Sequence, residues 1–385
     1  MSFKHLFSRS LEAAPGRLHF AAHSHHLWPD ASFEGQQQAW LDAASLADRK
    51  WDKVMDEVWP EAQGHVAAEL GVSADAIVFS SNTHDFLIRL LAAVPASGPV
   101  RILTSDGEFH SARRQFARLE EEGRALVTRI AAEPFDSFSA RFLAAASAGG
   151  HDLVLVSQVL FASGRIFEQS QALGLLARPE GPWVVIDGYH AFMALENPFF
   201  ETVAQSAFYL GGGYKYAMAG EGMAFMHCPR RFGPRPPITG WFAEFGDLTA
   251  PPGSSVGYTS DAMRFMGATF DPSALYLFNA IQRMLRNEGL TTAAISGHVA
   301  ALQQRLLDRL SRSALGTAEL LNPQDGVPHS RFLAVRSPEA ARWNRELMDR
   351  GCITDVRGDV LRIGFALYHD EADIDAFATL ARGLA

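Results

Sequence analysis

The feature that most constrains this chain is a recurring short apolar run that ends in polar residues and leads into helix-forming sequence. Ala76-Ile77-Val78-Phe79 runs into Ser80-Ser81-Asn82-Thr83, and a helical pattern follows from His84 through Leu91. Val100 to Leu103 precedes Ser105-Asp106-Gly107, Leu153 to Val156 precedes Ser157-Gln158, and Trp183 to Ile186 ends at Asp187. Strand and helix alternating in this way predict a mainly parallel sheet with helices on both faces. Such sheets bind ligands beyond the carboxyl ends of their strands, so polar ends scattered along the sequence are predicted to converge in space. The stretch from Phe33 to Leu70 reads as helix, broken near Trp59-Pro60 and stopped by Gly71. From Pro272 the pattern changes to a helix through Arg286, a second helix around Ile295 to Ser311, and short strands near Phe332 to Val335 and Val360 to Phe365. A helix from Glu339 to Asp349 lies between those strands, and another closes the chain. We therefore expect a large α/β domain over 15–275 and a smaller α+β domain from 1–14 and 276–385.

Composition removes several classes of function. With 48% hydrophobic and 20% charged residues the chain is globular, and a formal net charge of −9 disfavours nucleic acid as a partner. Cys228 and Cys352, the two cysteines, cannot build a disulfide framework or a multi-cysteine zinc site. Met1 to Ala14 contains Lys4, Arg9 and Glu12 and lacks the apolar core of a signal peptide, and no stretch approaches the ~18 apolar residues of a membrane span. The expectation is a cytoplasmic protein with no membrane partner.

The chemistry concentrates in two segments. Val184-Val185-Ile186-Asp187-Gly188-Tyr189-His190 puts a carboxylate at a strand end with a histidine three residues on, and Gly211-Gly212-Gly213-Tyr214-Lys215-Tyr216 places one lysine in a low-charge stretch. Alone, that lysine reads equally well as a surface residue. A pyridine-ring cofactor, however, needs a carboxylate to keep its ring nitrogen protonated and a lysine with a lowered pKa to attach it.

Asp187 and Lys215 stand in the order found in fold type I pyridoxal 5′-phosphate enzymes, and the chain resembles the class V aminotransferase superfamily, kynureninase above all. Gly213-Tyr214-Lys215-Tyr216, Gly240-Trp241-Phe242, Arg264-Phe265, and Leu361-Arg362-Ile363 with Tyr368 also carry the resemblance, which covers nearly the whole chain. It implies a seven-stranded, mostly parallel sheet sandwiched by helices, with a smaller C-terminal α+β domain. It also implies pyridoxal 5′-phosphate held as a Schiff base on Lys215, with Asp187 on the pyridine nitrogen and His190 near the ring oxygen or phosphate. Asn82, Thr83 and Tyr214 would bind the phosphate, and Phe109 would lie over the ring. By the same resemblance, Trp241 and Thr269 would reach the cofactor of a neighbouring subunit in a homodimer with shared sites, and Arg362 would grip the α-carboxylate of a small amino-acid substrate. Plain readings stay open beside these: a helix cap at Asn82, a packed ring at Tyr214 or Phe109, loop packing at Trp241, and a solvated strand arginine at Arg362.

Two departures from kynureninase concern the substrate. The family's aspartate, three residues after its stacking phenylalanine, is missing, because Phe109 is followed by His110-Ser111-Ala112. Its amino-terminal Asn-Ser-Leu-Gly stretch is replaced by Ala22-His23-Ser24-His25-His26-Leu27-Trp28-Pro29, so Ser24 and His25 are expected at the substrate pocket and no metal is expected at the histidines. The expected activity is hydrolysis between Cβ and Cγ of a kynurenine-type substrate, with amino transfer from a small amino acid to a 2-oxo acid as the alternative. A desulfurase would need a nucleophilic cysteine on a mobile loop, which neither Cys228 nor Cys352 supplies. A binding protein on the same fold would have no use for Lys215. A nucleotide-binding protein would need a glycine-rich loop after the first strand, where this chain has Ser80-Ser81-Asn82-Thr83.

Overall fold

In the computed structural model, residues 2–199, 201–247, 255–311, 313–324 and 329–384 are described. Seven strands form the central sheet: β1 (Ile77–Ser80), β2 (Val100–Ser105), β3 (Ala125–Ile130), β4 (Leu153–Ser157), β5 (Trp183–Asp187), β6 (Ala207–Gly212) and β7 (Ala224–His227). Their order is β1-β7-β6-β5-β4-β2-β3, and only β7 runs antiparallel to its neighbours. Strands β4 and β6 are buried along their whole length, and β5 except at Asp187, as expected for parallel strands covered on both faces. The register sets Ser157 beside Asp187 and Asp187 beside Leu210, so three strand ends meet at one level.

Helix α1 (Asp30–Leu46) and helix α2 (Trp59–Leu70) precede the sheet, with Pro60 in the first turn of α2 and a left-handed Gly71 ending it. Between them the chain passes through a π-helical turn at Val54–Val58. Helix α3 (Thr83–Ala93) follows β1, and α4 (His110–Glu121) follows β2. Helix α5 (Ser273–Asn287) packs on α1 so closely that a Cβ at Gly35 would lie 2.7 Å from the Tyr276 carbonyl oxygen.

The C-terminal part holds α6 (Thr292–Leu310), β8 (Glu319–Leu320), β9 (Phe332–Arg336), α7 (Ala340–Asp349), β10 (Asp355–Arg357), β11 (Val360–Gly364) and α8 (Glu371–Ala381). Its four strands form an antiparallel sheet in the order β10-β11-β9-β8. The N-terminal segment is tied to it: Lys4 reaches Asp370 and Asp373, the two residues of the α8 capping box, and Phe7 packs on Tyr368. Leu18–His19 adds a short parallel pairing with Cys352–Ile353. Among the described residues no helix is long and apolar enough to cross a membrane.

Candidate active site

Lys215 lies just beyond β6, in the turn that leads to β7. The turn is closed by backbone bonds from Gly213 N–H to the Met223 carbonyl (2.7 Å), from Ala219 N–H to the Gly213 carbonyl (2.9 Å) and from Met218 N–H to the Lys215 carbonyl (3.0 Å). Gly211 and Gly212, which read as part of a glycine-rich stretch, are the last residues of β6. A Cβ there would lie 2.4 Å from the Phe225 ring at Gly211 and 2.3 Å from the Tyr189 hydroxyl at Gly212. The glycines therefore let aromatic side chains crowd the strand end from which Lys215 emerges.

The Lys215 ammonium is buried and makes no ion pair among the described residues. Burial lowers its pKa from 10.5 to about 7; Asp187 pulls the other way and Arg362 adds to the lowering. Its Nζ sits 2.9 Å from Nε2 and 3.4 Å from Nδ1 of His190, and 4.9 Å from the ring centre of Tyr189. The rings of Phe109 and Tyr214 are each 5.7 Å away. The His190 imidazole, enclosed and held well below its usual pKa by burial and then by Lys215, is neutral, and its Nε2 lies 3.2 Å from the His23 carbonyl oxygen. Asp187, at the end of β5, accepts the Tyr189 N–H at 3.0 Å; burial raises its carboxyl, while that bond and Lys215 act in the opposite sense.

A second carboxyl group completes this end of the sheet. The position after Phe109 indeed offers none, but Glu108, immediately before it, is buried and reaches across from β2 to β4. It accepts from Ser105 Oγ (2.6 Å), Ser157 Oγ (2.5 Å) and Ser157 N–H (3.0 Å). Burial raises it to about 7 against those bonds, and the Asp187 charge adds to the rise. Sequence reasoning missed Glu108 because it looked for the acid at the family's spacing. The signal available was a carboxylate beside a strand-end serine.

At the start of α3 the side chain of Asn82 is a helix cap, accepting the Asp85 N–H at 3.0 Å, and Asp85 in turn accepts from Ser80 and Ser81. The Asn82 side chain is therefore committed to the Asp85 N–H, whereas the amides of Thr83 and His84 have no intrahelical acceptor and face an anion favourably. The enclosed Nδ1 of His84 lacks a partner among the described residues. Thr269 shares a cavity of about 250 Å³ with Ser80 and Ser81. Trp241, 39% exposed, packs on Phe242 and Phe245, and among the described residues it makes no ring or polar contact with Lys215 of its own chain.

Of the amino-terminal histidines, His25 is exposed, stacked on Tyr214 at 5.0 Å and 3.5 Å from Glu221, with Ser24 beside it. His23 is the one that enters the interior, where it meets Asp355 and Arg362. Arg362, expected to hold a substrate carboxylate, is buried on β11; it donates to Asp355 and to the Phe161 carbonyl. No group of three His, Cys, Asp or Glu among the described residues is placed to hold a metal ion.

A buried amine that gives up its proton near pH 7, a carboxylate on the adjacent strand, aromatic rings around the amine, two free amides at a helix N-terminus and the unpartnered His84 nitrogen form a donor set that fits pyridoxal phosphate. The superposition with solved structures decides the architecture. A mutant of C-DES with glycine covalently linked to its PLP cofactor matches with a TM-score of 0.82 at 15% identity, over 100% of both chains. The apo cysteine desulfurase from Thermococcus onnurineus NA1 matches with a TM-score of 0.79 at 18% identity, again over 100% of both chains. The chain has the fold type I architecture. As expected from sequence, it has a seven-stranded, mostly parallel α/β sheet and a smaller C-terminal unit. In sequence it is similar to kynureninase: the family model of the Kynureninase C-terminal domain matches residues 295–380. The kynureninase of Geobacillus thermodenitrificans (strain NG80-2) is 24% identical over 319 residues, which span 77% of this chain and 63% of that protein.

Proposed function

We propose that this chain is a pyridoxal phosphate enzyme acting on an α-amino acid, with kynureninase-like hydrolysis between Cβ and Cγ as its reaction. The observation that carries the reading is Lys215: a lysine lowered to about 7 inside a cage of rings, beside a strand-end carboxylate, is costly to fold and useful only as an amine. Bound there, the cofactor draws off the electrons of a bond broken at the substrate's α-carbon. Asp187 keeps a proton on the ring nitrogen. Lys215 attaches the cofactor through its neutral amine and, once released, carries the proton to and from the α-carbon. His190 adds no charge beside it, and Arg362 anchors the α-carboxylate. The similarity to kynureninase supports the hydrolase, and Glu108 supplies near Asp187 a carboxyl group comparable to the one the position after Phe109 lacks.

Persulfide chemistry is disfavoured. Cys228 and Cys352 are both buried and burial raises each thiol to about 12, so neither is a nucleophile at neutral pH. We further propose a homodimer with shared sites. Trp241 and Thr269 lie exposed on neighbouring segments, joined by the Phe242 N–H to Gly267 carbonyl bond of 3.2 Å, where a second copy can reach them.

The test is a visible absorption spectrum of the purified protein with added pyridoxal phosphate, then with kynurenine. A yellow band that borohydride traps on Lys215, and anthranilate with alanine released from kynurenine, are the expected results. Conversion of the cofactor to its pyridoxamine form by another amino acid would replace the hydrolase by an aminotransferase. A protein that stays colourless, or a Lys215→Ala variant that still turns over, would remove the reading altogether.

A further inference from the structure

The buried cluster around Arg362 has more unpaired donors than acceptors. Arg362 is 3% exposed; Nη1 donates to the Phe161 carbonyl, Nη2 to Asp355, and Nε has no partner among the described residues. His23 is fully buried with both ring nitrogens unpartnered, its Nε2 stopping 3.6 Å from Asp355 Oδ2, beyond hydrogen-bond length. His23, held at about 3 by burial, is neutral and carries one N–H, so with Arg362 Nε the cluster holds two unpaired buried donors. Each costs about 1–3 kcal/mol, and together they call for an acceptor that arrives from outside.

The sheet itself puts Asp355 in that cluster. Strand β10 pairs with β11 so that Asp355 stands directly opposite Arg362, and Arg357 holds the other carboxylate oxygen at 2.8 Å. Asp355 thus bridges two guanidinium groups, leaving the cluster one positive charge in excess. Both Asp355 and Arg362 lie close enough to Lys215 to act on its charge.

We propose that Asp355 stands in for the substrate's α-carboxylate. With no substrate present it occupies Arg362; an arriving carboxylate takes Nη2 and Nε of Arg362, and Asp355 turns to the His23 N–H while Arg357 keeps hold of it. The inference rests on the reading of Arg362 as the carboxylate anchor. Its consequence is selectivity. A simple carboxylate must displace an internal one that is covalently held in place and so binds poorly. An amino acid that also engages the cofactor through its amino group has the additional free energy to make the exchange.

The experiment measures the dissociation constant of propionate on the cofactor-loaded enzyme, following the visible band, with neutral propionamide as the control. Asp355→Asn should bind propionate about tenfold more tightly, since the competing charge-assisted bond is gone. His23→Phe, which keeps the stacked ring on Phe332 but has no N–H, should bind it several-fold more weakly, because Asp355 loses its alternative partner. Propionamide should bind all three proteins alike. Propionate affinity unchanged or weakened in Asp355→Asn with the visible band intact, or unaltered in His23→Phe, would overturn the exchange; if Asp355→Asn does not fold, Asp355→Ser is judged by the same criterion. Failure of the underlying reading is seen separately, as Arg362→Gln retaining full affinity for propionate, and failure of the cofactor assignment as a missing band.

Discussion

Replacing Lys215 by Met should make the cofactor-free protein more stable. In the unfolded chain the lysine titrates near 10.5 and in the folded chain at about 7, so folding at neutral pH strips a proton from it. Because the folded pKa is depressed, the unfolded state binds more protons between pH 7 and 10.5, and wild-type stability rises with pH across that window. Integrating the two titrations gives a penalty of about 4 kcal/mol at pH 7 that shrinks to about 2 kcal/mol at pH 9. Met fills a similar volume without a charge, but His190 loses the Nζ neighbour at 2.9 Å, which offsets about 1 kcal/mol. The expected gain is therefore about 3 kcal/mol at pH 7 and about 1 kcal/mol at pH 9. Urea unfolding of both apo proteins at the two pH values measures it. A variant that is less stable than wild type, or a gain that does not change with pH, would mean that Lys215 is not the strained amine on which the functional reading depends.

Further expectations concern the surroundings of that amine. Glu108→Ala strips three buried donors of their acceptor and should cost about 2–4 kcal/mol and blue-shift or weaken the cofactor band, whereas Glu108→Gln, which can still face Ser105 and Ser157, should keep both; equal melting temperatures and spectra for the two variants would refute the bracing role. Burial lowers His19 and His227 to about 4 and His23 and His26 to about 3, so the stability they contribute is complete above pH 6.5 and is lost as pH falls towards those values, on the order of 2 kcal/mol each by pH 5. Glu108, raised to about 7, acts in the opposite sense between pH 4.5 and 7, joined by the raised carboxyls of Glu69, Asp187 and Asp373, while His190 and His369, held well below 6.5, add to the four histidines; a melting temperature that does not fall between pH 7.5 and 5 would contradict the dominance of the histidines. Trp241→Ala should weaken both dimerisation, read by sedimentation, and cofactor retention, and a variant that keeps its dimer and its cofactor would dissociate Trp241 from the shared site.

Much of the fold was legible where physical demands are local. Fully buried parallel strands must be continuous apolar runs, so β4 and β5 were visible as Leu153 to Val156 and Trp183 to Ile186. The helix that follows β1 announced itself through its Asn82 cap. Strand β3 escaped because it is an edge strand of mixed polarity, Ala-Leu-Val-Thr-Arg-Ile, and β6 because its last residues are glycines, which mark a loop by propensity. The pairing of Leu18–His19 with Cys352–Ile353 joins the two ends of the chain and has no local signature at all.

The sequence by itself determined the layered α/β architecture, because fully buried parallel strands must be apolar runs with polar ends; the grouping of Asp187, His190 and Lys215 was legible only through the resemblance to a known family, since a lone lysine in a low-charge segment reads equally well as a surface residue. Tertiary structure alone decided the rest. That Glu108 supplies the carboxyl near Asp187, that His23 and not His25 reaches the interior, and that Asp355 faces Arg362 depend on strand register and on how the N-terminal segment docks. Those are set by packing between residues up to several hundred positions apart, and a one-residue change in register would turn Asp355 to the other face of its sheet.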